Sequence, residues 1–166
     1  MMYVFQVKPG TDLYVAANLR KRGYFVRCPQ RMMFIRKDGE WTERTELVFP
    51  GYLFLEHPYS KPLTNEKYYD IICNTDGVVG FLKNGKHPSV LAQHEEQYIH
   101  WLWNHGKPIA ASRIYKTANG DHMILSGTLR EYSDSIVSMD LRQRRAKIRV
   151  PICGKEYKIT LPVIGV

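Results

Sequence analysis

A chain of 166 residues has room for one medium domain or two small ones, each with a core of its own, and 24 Lys and Arg against 16 Asp and Glu leave a net charge of +8 that favours a polyanionic partner. Cys28, Cys73 and Cys153 stand far apart with no CxxC pair, which argues against a disulfide framework or zinc ribbon and for a reducing compartment. No window is long and apolar enough to span a bilayer, and Gln6 and Lys8 interrupt the apolar start, so the expectation is a cytoplasmic protein without signal peptide or membrane contact.

Residues 2–8 alternate, with Tyr3, Phe5 and Val7 on one face and Gln6 and Lys8 on the other, as in a half-buried strand. Pro9-Gly10 breaks it, Thr11 or Asp12 can cap a helix, and Gly23 stops that helix behind the cations Arg20, Lys21 and Arg22. That basic triplet suits a helix C-terminus better than a nucleic-acid site. A second strand over residues 24–28 ends at Pro29. Residues 31–36 and 40–44 flank Lys37-Asp38-Gly39 and form a hairpin.

The run Leu47-Val48-Phe49-Pro50-Gly51-Tyr52-Leu53-Phe54-Leu55-Glu56 reads as a turn followed by a strand buried on both faces, since it shows no alternation. A helix is expected from Asn65 through Cys73, with Tyr68, Ile71 and Ile72 inward and Thr75-Asp76-Gly77 at its end. A strand over residues 78–82 and a turn at Asn84-Gly85 follow. Pro88-Ser89 then opens a third helix burying Leu91, Tyr98 and Leu102 beside Trp101, which Gly106 ends.

Residues 107–118 lack usable periodicity and read as a linker. Beyond them only short strands are expected, over residues 122–125, 135–139, 145–152 and 156–161, as in a small β-barrel. Residues 1–118 carry 16 basic and 11 acidic side chains and residues 119–166 carry 8 and 5, so both parts are basic. The fold class is therefore α+β: an antiparallel sheet flanked by helices over residues 1–106, a linker over 107–118, and an all-β barrel over 119–166.

The sharpest chemical signal is Arg145-Ala146-Lys147-Ile148-Arg149-Val150, where cations alternate with apolar residues. On a strand this buries Ala146, Ile148 and Val150 and lines up Arg145, Lys147 and Arg149 outside. A turn at Cys153-Gly154 sets Arg149 opposite Lys158, Ile148 opposite Ile159 and Val150 opposite Tyr157. Facing cations are destabilising unless an anion binds. Arg142 and Arg144 thicken the same patch, and the excess of Arg over Lys suits phosphate or guanine contacts. The alternative is an edge strand protected by charge.

Residues 2–8, the Phe49-Pro50-Gly51-Tyr52-Leu53-Phe54 run and Val78-Val79-Gly80-Phe81-Leu82 together resemble the N-terminal (NGN) domain of NusG-type transcription elongation factors. Gly120-Asp121-His122-Met123-Ile124-Leu125, Gly127-Thr128-Leu129 and residues 135–140 resemble the KOW barrel of the same family. Thr128, Glu131 and Asp134 depart from that motif's proline and glycines, and the basic loop and strand look like those of LoaP-type antiterminator paralogs. The resemblance implies an antiterminator, monomeric and without enzyme activity or cofactor. Its first domain would dock on the clamp helices of RNA polymerase through Tyr3, Phe5, Pro50, Gly51, Tyr52, Phe54, Gly80, Phe81 and Leu82. Alternation lets only one of the pairs Tyr52/Phe54 and Leu53/Leu55 face such a groove. Its barrel would recruit nascent RNA, a hairpin, through Arg142, Arg144, Arg145, Lys147, Arg149 and Lys158. Two alternatives are a housekeeping factor that couples polymerase to ribosomal protein or Rho, and a stand-alone RNA-binding protein.

Catalytic signatures are missing from the sequence. His94 and His100 lie on different faces of their expected helix, unlike the HExxH pair of zinc proteases, so no metal is expected.

Overall fold

The structure, a computed structural model, describes residues 1–58 and 61–166. The elements are β1 (Met2–Val7), α1 (Asp12–Lys21), β2 (Phe25–Arg27), β3 (Gln30–Lys37), β4 (Glu40–Leu47), β5 (Tyr52–Glu56), α2 (Asn65–Cys73), β6 (Val78–Phe81), β7 (Lys83–Asn84), β8 (His87–Pro88), α3 (Gln93–Trp103), β9 (Ser112–Lys116), β10 (His122–Ser126), β11 (Ile136–Asp140), β12 (Arg145–Ile152) and β13 (Lys155–Gly165). They make a mixed α/β chain with a β-rich C-terminal part. Two compact units form, Met1–Cys28 with Phe49–Gln97 and Pro29–Val48 with Tyr98–Val166.

The first unit is built on a sheet of order β2-β5-β1-β6. Antiparallel pairing sets Val4 opposite Phe54, and Phe5 lies between Leu53 and Phe81. The half-buried reading of β1 is corrected here: Met2, Tyr3, Val4, Phe5 and Val7 are all 2% exposed or less. Residues of both parities along β1 are buried, so both faces of the sheet are covered here and alternation carries little information. Only Gln6 remains exposed. For β5 the expectation of a strand buried on both faces holds, with Leu53, Phe54 and Leu55 in the core.

Helix α1 presents Val15, Ala16 and Leu19 to the core, and Gly23 with φ +91 closes it as expected. Its start differs from the simple cap. The Thr11 hydroxyl donates back to the Lys8 carbonyl, and Asp12 is buried, accepting the Gly51 N–H at 2.7 Å. One carboxylate thus ties the helix to the Pro-Gly turn before β5. Helix α3 begins at Gln93, later than Pro88-Ser89 suggests. The intervening residues instead extend the sheet, where the Leu91 N–H donates to the Met2 carbonyl and Val90 bridges Tyr3. The Glu95 side chain accepts the Ala92 N–H and caps the delayed start.

A polar corner ties the end of α1 to α2. Asp70 accepts from the Tyr24 hydroxyl at 2.6 Å and from Asn74 at 3.0 Å, and pairs with Arg22 at 2.8 Å. These hydrogen bonds, Tyr24 first, hold the Asp70 carboxyl at about 2. A depressed folded pKa contributes stability that is present above the ordinary 3.8 and is lost as pH falls through about 2. Urea midpoints followed down that window should therefore drop more steeply for the wild type than for Asp70→Asn. Parallel curves would remove Asp70 as the acid-sensitive group.

In the second unit β3 and β4 form the expected hairpin, turned by Asp38 (φ +52) and Gly39 (φ +81). A five-stranded sheet runs β10-β9-β13-β12-β11. Residues 107–118, expected as a linker, contain β9, which pairs in parallel with β13 and antiparallel with β10. The segment was illegible because Ser112 and Ile114 are buried while Tyr115 is exposed, so its pattern does not mark the covered face. The hairpin is also tied to the segment before β9: Met32 N–H donates to the Ile109 carbonyl, and Ile109 N–H to Gln30, both at 2.8 Å.

Candidate functional site

Strand β12 follows the expected register. Ala146, Ile148 and Val150 are 0% exposed, and Arg145, Lys147 and Arg149 are exposed between them. Cys153 (φ +50) and Gly154 (φ +76) make the turn, and β13 sets Arg149 opposite Lys158, Ile148 opposite Ile159 and Val150 opposite Tyr157. Glu156 approaches Arg149 at 3.8 Å with both side chains at least half exposed, a contact of small energetic weight in water. Lys147 faces Ser138 and Thr160, and Arg145 faces Asp140 and Pro162. The row Arg145–Lys147–Arg149 with Lys158 is thus one solvated cationic stripe.

Arg142 and Arg144 lie at the end of that stripe, in the turn between β11 and β12, but they point to different surroundings. Arg142 is exposed. Arg144, in a left-handed backbone conformation (φ +57), lays its guanidinium over two rings of the β3–β4 hairpin, 4.4 Å from Trp41 and 4.8 Å from Phe34. Arg36 approaches the Trp41 ring at 5.9 Å. Sequence reasoning did not single out Trp41 or Phe34; their one signal was an aromatic pair on one face of a charged hairpin. On the hairpin's other face Arg31 donates to the Thr160 carbonyl, and its burial pulls the guanidinium below its ordinary range, with Glu46 opposing.

The loop after β10 carries a second aromatic group. The Tyr132 ring sits 4.4 Å from Tyr98 and 4.3 Å from Trp101. Trp101 Nε1 donates to the Thr128 carbonyl at 2.9 Å, and the Tyr98 hydroxyl bonds Ser135. Burial, followed by Glu131, raises the Tyr132 pKa.

The nine apolar positions expected to grip a helix pair are divided by their burial. Tyr3, Phe5, Phe54 and Phe81 are 0 to 6% exposed: Phe5 and Phe81 have centroids 5.5 Å apart with Tyr3 edge-on to Phe81, and Phe54 packs on Phe49 at 5.2 Å. They are core, which corrects their reading as contact residues: a side chain without accessible surface has nothing to offer a rigid partner. Pro50 is exposed, and Gly51, Tyr52, Gly80 and Leu82 are half-buried. Tyr52 and Gly80 both stand opposite Gln6, so Tyr52–Gln6–Gly80 is one row across three strands, with Val79 55% exposed beside it. Gln6 was missed as a candidate; its polarity inside an apolar strand was the available signal.

Among the described residues no group of three or more His, Cys, Asp or Glu side chains gathers as a metal site, and no helix is long and apolar enough to cross a membrane. Residues 2–100, more than half of the chain, match the family model described as "Transcription termination factor nusG", and the chain belongs to the NusG family. Similar proteins include the "Transcription termination/antitermination protein NusG" of Thermus thermophilus, 23% identical over 96% of this chain and 93% of that one. The proteins of the same description from Synechocystis and Bacillus subtilis are 22% and 26% identical over 96% of this chain, covering 84% and 93% of their own lengths.

Proposed function

We propose that this NusG-family chain is a non-catalytic elongation factor that binds RNA polymerase and promotes processive antitermination, as LoaP-type paralogs do, with a C-terminal KOW-like barrel that recruits a structured RNA. The observation that carries the RNA reading is the exposed row Arg145, Lys147 and Arg149 facing Lys158, with Arg142 at its end. Cations at alternate positions of one strand and opposite it on the next can neutralise several phosphates of one backbone and release their counterions. The polymerase reading rests on family membership and on the accessible row Tyr52–Gln6–Gly80, which offers a ring, an amide and open backbone to a helix pair. Coupling to ribosomal protein or Rho through the loop after β10 is less favoured, because the Tyr132 ring of that loop is already packed against Tyr98 and Trp101.

The test is a salt series of binding by the full chain to a hairpin leader RNA and to a scrambled single strand. Hairpin-selective binding is expected, and replacing Arg145, Lys147 and Arg149 together by Ala should lower the salt slope by about 3. Equal binding to both RNAs, steeply weakened by salt, would mean bulk charge alone. Absence of binding would leave the stripe as the solvated face of a strand that is paired on both sides, by β11 and β13, and so is no edge.

A further inference from the structure

The turn between β11 and β12 and the hairpin face border an open cleft of about 570 Å³, whose lining includes Phe34, Arg36, Trp41, Asp140, Arg142 and Arg145. That volume lies within the range of small-molecule sites. Its composition is unusual for a surface cleft: an indole and a phenyl ring, three arginines and one carboxylate. We propose that this cleft holds an unpaired nucleobase of the bound RNA, stacked on Trp41, with the arginines on the flanking phosphates; the proposal rests on the RNA reading above and gives it a subsite.

Four features of the cleft carry it. Trp41 is half-buried, so part of the indole remains accessible while the hairpin holds it in place. Its orientation is fixed by Arg144 at 4.4 Å and Arg36 at 5.9 Å and by the edge-on Phe34 ring at 6.4 Å. A ring held in this way stacks a base at small entropic cost, and stacking tolerates any base because each has a π face. Asp140 accepts the Gln143 N–H through Oδ1, which makes a tight turn, and its carboxylate lines the cleft. A carboxylate among arginines is a poor phosphate contact and a good acceptor for the amino group of an adenine, guanine or cytosine. Arg142 and Arg145 are exposed at the wall, and Arg145 begins the cationic stripe. A backbone tracking the stripe therefore reaches the cleft without leaving positive surface.

The geometry also specifies what kind of RNA is recognised. The interior of a duplex cannot present a base face to Trp41, whereas a loop or bulge can turn one out. The stripe would then hold the stem and the cleft the loop.

Three RNAs on one stem test this with the full chain: an adenosine loop, the same loop made abasic, and the blunt duplex. The wild type should bind the adenosine-loop RNA about tenfold more tightly than the abasic-loop RNA, and 2-aminopurine in the loop should be quenched on binding. Trp41→Ala should abolish both the preference and the quench, with the adenosine-loop and abasic-loop RNAs then bound equally. Trp41→Phe keeps a ring and should retain part of the preference, and it serves if the alanine variant does not fold. Equal wild-type affinity for adenosine and abasic loops, with both weakened by Lys147→Ala and Arg149→Ala, overturns the cleft and leaves the RNA reading standing. Failure of all three RNAs to bind overturns both.

Discussion

Phe5→Ala is expected to destabilise the first unit by about 3–5 kcal/mol, the cost of removing a fully buried phenyl ring and leaving a cavity. Phe5 is 0% exposed, pairs with Leu53 on one neighbouring strand and Phe81 on the other, and stacks on the Phe81 ring at 5.5 Å. Tertiary relaxation could recover only part of that loss, because the flanking strands are fixed by their ladders. Tyr52→Ala should behave oppositely, since its ring is half-buried at the accessible row: a small change in stability and a weakened grip on polymerase. Urea denaturation of both variants alongside polymerase binding separates the two roles. A Phe5→Ala protein as stable as wild type but unable to bind polymerase would restore Phe5 as a contact residue and sink its assignment to the core.

Gly127→Ala should be comparably damaging in the second unit, by about 3 kcal/mol or more. Gly127 has φ +105 and ψ −179, a region that only glycine occupies without strain. A Cβ there would lie 2.6 Å from the Ser112 Cα, and backbone cannot step aside as a flexible side chain can. The close approach serves a purpose: the Ser112 hydroxyl accepts the Leu129 N–H at 3.2 Å and seats Leu129 at 0% exposure. Gly120→Ala is the control. Gly120 also has a left-handed φ of +88, but its Cβ would meet open space, so only the backbone strain of about 1 kcal/mol remains. Thermal melts of the two variants should differ by several degrees, and equal melting would show that the β9 contact gives way freely.

Much of the candidate site was legible because its information is local. Strict alternation over Arg145–Val150 can be satisfied by one strand orientation only, and a two-residue turn at Cys153-Gly154 then fixes every partner on β13, including Arg149 opposite Lys158. The Asp38-Gly39 turn set the β3–β4 register in the same way. The apolar strands were legible as strands but not in what they face. Tyr3, Phe5, Phe54 and Phe81 have the composition of a docking groove and of a core alike, and only the coverage by neighbouring strands and helices separates the two.

What the chain's sequence determined by itself was therefore its short-range order: which runs are strands or helices, where the tight turns fall, the cationic stripe, and through its motifs the family. Tertiary structure alone decided the rest. It buried both faces of β1, recruited residues 112–116 as a strand, tied Asp12 to Gly51, and set Arg144 on Trp41 across more than a hundred residues of chain. The physical reason is common to all four. Periodicity records how a segment divides its own residues between two sides, whereas the contacts that cover those sides come from distant segments whose meeting no local pattern encodes.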